Sequence, residues 1–301
     1  VAAPEAVNRQ IDARLALGGD IVLQPLVVGD ADVLEVGAGS GKLARDVLHT
    51  LQQINCLPRR YFILEVSAEL RARQQQALAA HPALRERVQW LDALPKNFRG
   101  LVFGNEVLDA MPVERFVMRT DGAHTLDVGV SGDGFVWLEG ARHDGISDRV
   151  APFGLADGYT SEVNLAAEAW TRSMGEAIDA GLIVLVDYGF PRAEYYHPDR
   201  RDGTLMCHYR HRAHADPLVL VGLQDITAHV DFSAIAAAGS DAGLTLAGYT
   251  SQAAFLLGSG LAELAAQSDP TDTRAHLERM QGVKKLTLPH EMGELFKVIG
   301  F

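Results

Sequence analysis

The run DVLEVGAGSGKL (Asp32–Leu43) drives a short, almost unbroken apolar stretch straight into three glycines at alternate positions. A strand followed at once by such a turn and a helix has few places to fit except the carboxyl edge of an α/β sheet. The rest of the chain repeats the theme. YFILEV (Tyr61–Val66), VQWL (Val88–Leu91), LVFGNE (Leu101–Glu106) and LIVLVDY (Leu182–Tyr188) are near-continuous apolar runs rather than alternating ones. That is the mark of strands covered on both faces. Helical patterns separate them over Lys42–Gln53, Ala68–Ala80 and about Thr160–Ala180. The alternation predicts α/β architecture: a doubly wound, mostly parallel sheet.

Two stretches break the rhythm. Residues 113–142 alternate apolar and polar positions around Asp121–Gly122 and Gly132–Asp133–Gly134, which are hairpin turn signals, and predict an antiparallel hairpin insertion. Residues 191–225 are polar, with little periodicity, and read as a long loop insertion. Further on, Phe232–Ala242 and Ser251–Ala266 read as helices around LTLAGY (Leu244–Tyr249), and ELFKVIGF as a terminal strand. With these insertions, residues 1–301 read as a single domain.

Charge narrows the partners. A formal net charge of −12 argues against a broad nucleic-acid footprint. The basic cluster Arg200, Arg201, Arg210, His211 and Arg212 reads instead as a loop anchor or a dock for an acidic partner. Cys56 and Cys207 cannot make a disulfide framework, so a reducing compartment is expected: the cytoplasm, with the mitochondrial matrix as the alternative. No run approaches the ~18 apolar residues of a membrane span. The start, VAAPEAVNRQ, shows no signal-peptide pattern and no initiator Met, and the chain reads as trimmed, processed or part of something longer.

What does the glycine loop hold? A phosphate-cradling loop needs Gly, four spacers, Gly-Lys and then Ser or Thr. Here Val36 stands where the first Gly belongs and Leu43 where the hydroxyl belongs, so that reading fails twice. A dinucleotide fingerprint needs G-x-G-x-x-G, and Gly37-x-Gly39-x-Gly41 is one residue short of it. The pattern Glu35-x-Gly37-x-Gly39-x-Gly41 resembles the first motif of class I S-adenosylmethionine-dependent methyltransferases, which share a Rossmann-like fold. Glycines let the backbone approach a ligand without Cβ interference, and Glu35 matches the ligand's ammonium group by charge, directly or through water. The plain alternative is a turn that only packs a helix on a strand.

Two more strand ends carry acids. In ILEVS, Glu65 is placed to accept hydrogen bonds from both ribose hydroxyls; in WLDAL, Asp92 is placed for the adenine amino group. Each alone reads as a solvated strand-end carboxylate, but three in order converge on one crevice.

GNEVLDAMPVERF (Gly104–Phe116), DYGF (Asp187–Phe190), GTLMCHYRHRAHADPL (Gly203–Leu218), QDITAHVDF (Gln224–Phe232) and the closing EMGELFKVIGF together resemble the MidA family of methyltransferases, in order and over nearly the whole chain. That family includes an arginine-methylating assembly factor of mitochondrial complex I. The resemblance implies S-adenosyl-L-methionine as cofactor and an arginine side chain of a partner protein as substrate. Family members also carry a segment resembling G-D-F-x-T-x-P-E ahead of the first motif. The residues before Asp32 match it only in the fragments APE and GGD, so the segment is either missing from this chain or lost in this member.

Methyl transfer to a guanidinium needs alignment and a carboxylate to localise charge and accept a proton. By analogy with other arginine methyltransferases, Glu106 is the first choice for that grip and Asp109 the second, with Asn105 on the cofactor side. The plain reading of Asp109 and Glu114 is acids favouring a short helix through its dipole. His229 reads as pocket lining, a base or an orienter of Glu106; its plain reading is a packed polar residue beside Asp231 capping the next helix. His208, His211 and His214 have i, i+3 spacing but no carboxylate or Cys arranged with them, so no metal is expected. The alternatives in other classes are a non-catalytic scaffold that keeps the fold and a nicotinamide-dependent oxidoreductase. The sequence does not set the oligomeric state, and a homodimer is one assembly open to it.

Overall fold

The computed structural model describes residues 31–210, 212–268 and 271–301; the fragments Ala3–Glu5 and Gly18–Asp20, and His211, lie outside them. The chain opens with β1 (Asp32–Val36), α1 (Lys42–Gln53), β2 (Tyr61–Leu64), α2 (Ala68–Ala79), α3 (Pro82–Arg85), β3 (Val88–Leu91) and β4 (Phe98–Asn105). Next come β5 (Glu114–Arg119), β6 (Gly122–Ser131), β7 (Gly134–Arg142), α4 (Asp144–Val150), β8 (Thr160–Val163) and α5 (Leu165–Ala177). Then follow β9 (Ile178–Phe190), α6 (Arg192–Tyr195), β10 (Met206–Tyr209), β11 (Arg212–His214), β12 (Asp225–Thr227) and β13 (Val230–Asp231). The last elements are α7 (Phe232–Asp241), β14 (Gly248–Ser251), α8 (Gln252–Gly258), α9 (Leu261–Ala266), α10 (Thr273–Thr287) and β15 (Phe296–Gly300). They fall into two compact units.

The first unit takes in residues 31–107, 171–187, 238–268 and 271–301. Its sheet has the order β14-β15-β9-β4-β1-β2-β3. The ladders among β9, β4, β1, β2 and β3 are parallel, and β14 runs antiparallel to β15. Ile183 and Phe301 exchange both backbone hydrogen bonds at 3.0 Å, the pattern of an antiparallel pair. This is the mostly parallel α/β sheet that the β–α alternation predicts. All five β1 residues are buried, which is why the strand reads as unbroken rather than alternating. Of its two acids, Asp32 is paired with Arg59 at 2.7 Å and Arg60 at 3.1 Å.

The core under this sheet gathers Val33, Tyr61, Ile63 and Val88 from the strands with Ala44, Leu48, Leu78 and Leu84 from the helices. Each fully buried Leu or Ile contributes about 2 kcal/mol. Ala44 and Leu48, four apart, give α1 its buried face. Ser67 starts α2 by accepting the Leu70 N–H at 3.2 Å. Strand order reverses between β1 and β4, so a crevice opens at their carboxyl ends, where the glycine loop emerges.

The second unit takes in residues 108–170 and 188–237 apart from His211. An antiparallel sheet, β7-β6-β5-β8, packs over Phe116, Ile146, Val150, Tyr159, Val163, Tyr195 and Tyr196. The tight turns fall at the expected Asp-Gly and Gly-Asp positions, with Arg119 facing Gly122 and Ser131 facing Gly134. A small sheet, β11-β10-β12, stands within residues 206–227. β13 pairs in parallel with Gly189 and Phe190 at the end of β9.

Several elements differ from the sequence expectation. The predicted helix over 160–180 is only α5, because Thr160–Val163 is taken up by pairing with β5. β9 begins at Ile178, where it meets Phe98 of β4. The predicted helix over 251–266 breaks at Gly260, which has φ 93°, into α8 and α9. Residues 191–225 hold α6, β10 and β11, elements of three or four residues that are too short to leave a periodic signal. Among the described residues, no helix is long and apolar enough to cross a membrane.

Candidate active site

The loop after β1 is built on backbone conformations that glycine alone adopts freely. Gly37, Gly39 and Gly41 have φ of 66°, 50° and 76°. A Cβ on Gly41 would stand 2.9 Å from the Cα of Gln74, and one on Gly37 would stand 3.3 Å from Val107. A Cβ on Gly39 would meet nothing within 4 Å, so the loop leaves open space at its middle glycine.

The ends of β2 and β3 are tied to this loop by polar side chains. Glu65, almost fully buried, accepts the Ser67 N–H on Oε1 at 2.9 Å and the Gln74 amide on Oε2 at 2.9 Å. The same Gln74 nitrogen donates to the Gly39 carbonyl at 3.0 Å, and Trp90 Nε1 donates to Gln74 Oε1 at 2.9 Å. Arg71 donates to the carbonyls of Glu65 and Leu91 and to Asp92 Oδ1 at 2.6 Å. Asp92 stays at the rim, with its side chain 87% exposed.

Val36 of β1 is in register with Gly104 of β4, so the end of β4 stands beside the glycine loop. Glu106 follows with φ 52°, an uncommon conformation for a residue with a Cβ. Its N–H reaches Val186 O at 2.9 Å, and Asn105 donates to its Oε1 at 3.0 Å; both side chains are exposed. Buried Asp187 accepts the Val107 N–H at 3.1 Å and so fixes the turn that carries Glu106. Glu35 is turned inward. It is 2% exposed and accepts the Tyr61 hydroxyl hydrogen on Oε2 at 2.6 Å.

The second unit holds Asp109 and His229. Tyr188 donates its hydroxyl hydrogen to Asp109 Oδ2. The Tyr188 and Phe190 rings stand edge-on to His229 at 5.4 and 5.1 Å. Burial, and next the charge of Arg200, push His229 down to about 4, so its imidazole is neutral at ordinary pH. Asp231 caps α7 by accepting the Ala234 N–H at 3.1 Å, as the plain reading has it.

The structure therefore brings Glu35, Gly37, Gly39, Gly41, Glu65, Asp92, Asn105 and Glu106 to the carboxyl end of one sheet, and groups Asp109 with His229 in the other unit. Gln74, Asp187 and Tyr188 hold these residues or the turn that carries Glu106 by hydrogen bonds and were not singled out from the sequence; Asp187 and Tyr188 stand in the quoted DYGF, but Gln74 left no signal. The histidines at 208 and 214 sit in a hairpin rather than on a helix, with His214 facing Cys207 and His208 facing Ala213. Among the described residues, no group of three or more His, Cys, Asp or Glu side chains could hold a metal ion.

Comparison with known proteins places this geometry. A family model described as "Putative S-adenosyl-L-methionine-dependent methyltransferase" matches residues 23–250. A crystal structure of a "likely methyl transferase" from Burkholderia thailandensis, bound to S-adenosyl-homocysteine, is 44% identical with a TM-score of 0.88, over 99% of this chain and 76% of that one. A native crystal structure from the same organism, also 44% identical with a TM-score of 0.88, covers 100% of this chain and 80% of that one. A curated relative from Caenorhabditis elegans, named protein arginine methyltransferase NDUFAF7 homolog, mitochondrial, is 24% identical over 68% of this chain. The relative of that name from Drosophila melanogaster is 28% identical over 89%. The chain spans 52% and 66% of the lengths of these two relatives.

Proposed function

Because the chain belongs to the MidA family of S-adenosyl-L-methionine-dependent methyltransferases, with S-adenosyl-L-methionine as its cofactor, we propose that it methylates an arginine side chain on a partner protein. The names of the two curated relatives support the choice of arginine. Family membership displaces the dinucleotide reading of the loop.

The residues present fit the cofactor. The open space at Gly39 admits a ligand against the backbone, and Glu65, held by two donors, keeps lone pairs for a ribose diol. We assign Gly37, Gly39 and Gly41 to the methionine portion, Glu65 to the ribose, Asp92 to the adenine amino group, Asn105 to the cofactor side of the turn, and Glu35 to the counter-charge. S-adenosylmethionine supplies a methyl group on a sulfonium, an electrophile that needs only an aligned nucleophile. The remaining work belongs to the protein: to grip the guanidinium, concentrate its charge on the far nitrogens and take a proton. Glu106 is assigned the grip, with Asp109 second; within the other unit neutral His229 is assigned to pocket lining and is able to accept a proton.

The observation that carries this reading is Glu106 itself. An exposed carboxylate held in the left-handed region beside the glycine loop costs about 1 kcal/mol of backbone strain and is fixed by Asn105 and the Val186 carbonyl. Asn55, Asn97, Arg210 and Leu220 share that conformation on exposed loops, so it is the carboxylate's place beside the glycine loop that marks Glu106. The compartment proposed is the cytoplasm, with the mitochondrial matrix as the alternative; both relatives' names carry the word mitochondrial.

The test is methylation of a cell extract lacking this protein, by the full chain with S-adenosylmethionine, read by mass spectrometry. New methylarginine on a discrete protein is expected. Methyl groups only on other side chains would overturn the arginine assignment. Tight S-adenosylhomocysteine binding with no transfer at all would leave the non-catalytic scaffold.

A further inference from the structure

Helix α2 carries a polar residue where its core stripe should be apolar. Gln74 and Leu78, four apart, are the buried residues of that helix, and Gln74 is 0% exposed. A buried amide is costly unless its groups are matched, and this one is matched in full. Its nitrogen donates to the Gly39 carbonyl at 3.0 Å and to Glu65 Oε2 at 2.9 Å, while its oxygen accepts the Trp90 indole N–H at 2.9 Å. The three partners come from three successive strand ends: the loop after β1, the residue after β2, and β3. The main chain of Gln74 also presses on the loop, since its Cα lies where a Cβ on Gly41 would collide.

We propose that Gln74 is the positioning residue of the cofactor site, setting the glycine loop and the Glu65 carboxylate at a fixed separation so that one ligand meets both. The inference rests on the reading of this sheet edge as the S-adenosylmethionine site and names the residue that gives it its shape. No other uncharged side chain of this length donates two hydrogen bonds and accepts a third. A glutamate would lose both donors and set a second carboxylate against Glu65. A methionine would fill the volume and bind none of the three partners. Ser67 holds the other Glu65 oxygen, so removing Gln74 frees the carboxylate to swing about one remaining contact. Gln74 touches no reacting atom, so its loss falls on cofactor binding.

The experiment is calorimetric titration of the full-length chain with S-adenosylhomocysteine, for the wild type and for Gln74→Met, Gln74→Glu and Trp90→Phe, with thermal unfolding and tryptophan emission of the ligand-free proteins. Expected results are binding at least about tenfold weaker for Gln74→Met, weaker still for Gln74→Glu, and a few-fold weaker for Trp90→Phe, in folded proteins. Tryptophan emission should shift to the blue in Gln74→Met, as the Trp90 N–H loses its acceptor to an apolar side chain. Where turnover is followed, KM for S-adenosylmethionine should rise by the same factor with kcat little changed. Wild-type affinity in a folded Gln74→Met protein overturns the inference. Should that variant fail to fold, Trp90→Phe, at a half-buried position, decides it: unchanged affinity there overturns it equally. A wild-type chain that binds no S-adenosylhomocysteine instead overturns the cofactor reading on which the inference stands.

Discussion

The hydroxyl of Tyr61 donates to Glu35 Oε2 across 2.6 Å in a part of the core where neither side chain meets solvent. Burial is the larger influence on Glu35 and raises its pKa to about 7, and the Tyr61 hydrogen bond only partly opposes it. Burial, and next the charge of Glu35, drive Tyr61 well above its ordinary range. The carboxyl group two residues ahead of the glycine loop is therefore poised between its two protonation states near neutrality.

Cofactor binding should then release a proton. A cation settling over the loop favours the Glu35 carboxylate, so affinity for S-adenosylmethionine should rise with pH up to about 7, by up to about tenfold per unit, and level off above it. Titration in buffers of different ionisation enthalpy should report release of up to one proton, and Glu35→Gln should lose the dependence. Equal affinities on the acidic and alkaline sides of 7 would remove Glu35 from the counter-charge role.

Glu106 should separate binding from transfer. Glu106→Gln keeps the shape and the Asn105 contact at an exposed position, so S-adenosylhomocysteine affinity should stay within about twofold. Methyl transfer should fall by at least about a hundredfold, because the neutral amide cannot localise charge or take a proton. Unchanged turnover would dismiss it as the guanidinium grip.

The loop and the strand-end acids were legible because each answers to a local demand: glycine for left-handed backbone, and an acid at the end of a buried strand. Gln74 was not legible, since a lone glutamine next to Gln75 and Gln76 reads as surface until the fold shows which of the three faces inward. Helix α10 is faint for a related reason: none of its fifteen residues is fully buried, and its inward stripe of Met280, Val283 and Leu286 is only half-buried. β8 has the composition of a helix start and becomes a strand only through β5. Asp109 was readable as an acid near Glu106 in sequence, but not as the acceptor of the Tyr188 hydroxyl. Contacts between residues tens of positions apart leave no periodic trace.

Gly39 and Gly41 should respond differently to alanine. At Gly41 the added methyl meets the backbone of Gln74 at 2.9 Å as well as a left-handed φ, so Gly41→Ala should cost about 3 kcal/mol of stability. At Gly39 nothing lies within 4 Å, and the conformational cost alone is about 1 kcal/mol, a loss of roughly 2–4 °C in Tm. Gly39→Ala should nevertheless weaken S-adenosylhomocysteine binding by about tenfold or more, because the methyl fills the ligand's space. A Gly39→Ala protein with normal affinity would mean that the open side of the loop is not the binding side.

Glu35 and His229 should give stability opposite pH slopes. The folded pKa of Glu35, about 7, lies above its ordinary 4.5, so the folded state holds the extra proton between those values; its contribution is present below 4.5 and lost as pH rises to 7. The folded pKa of His229, about 4, lies below its ordinary 6.5, so the unfolded state holds the extra proton; its contribution is present above 6.5 and lost as pH falls to 4. Each amounts to roughly 3 kcal/mol across its window, and between about 4.5 and 6.5 the two nearly cancel. Substitution exposes the partner that remains. Relative to wild type, Glu35→Gln should gain stability with rising pH through that range, whereas His229→Phe should lose it. Denaturant titrations at two pH values decide the matter, and because the residues lie in different units, separate unfolding transitions would each carry one slope. Parallel pH profiles for wild type and His229→Phe would show that the imidazole titrates normally in the folded protein and is not held neutral by burial.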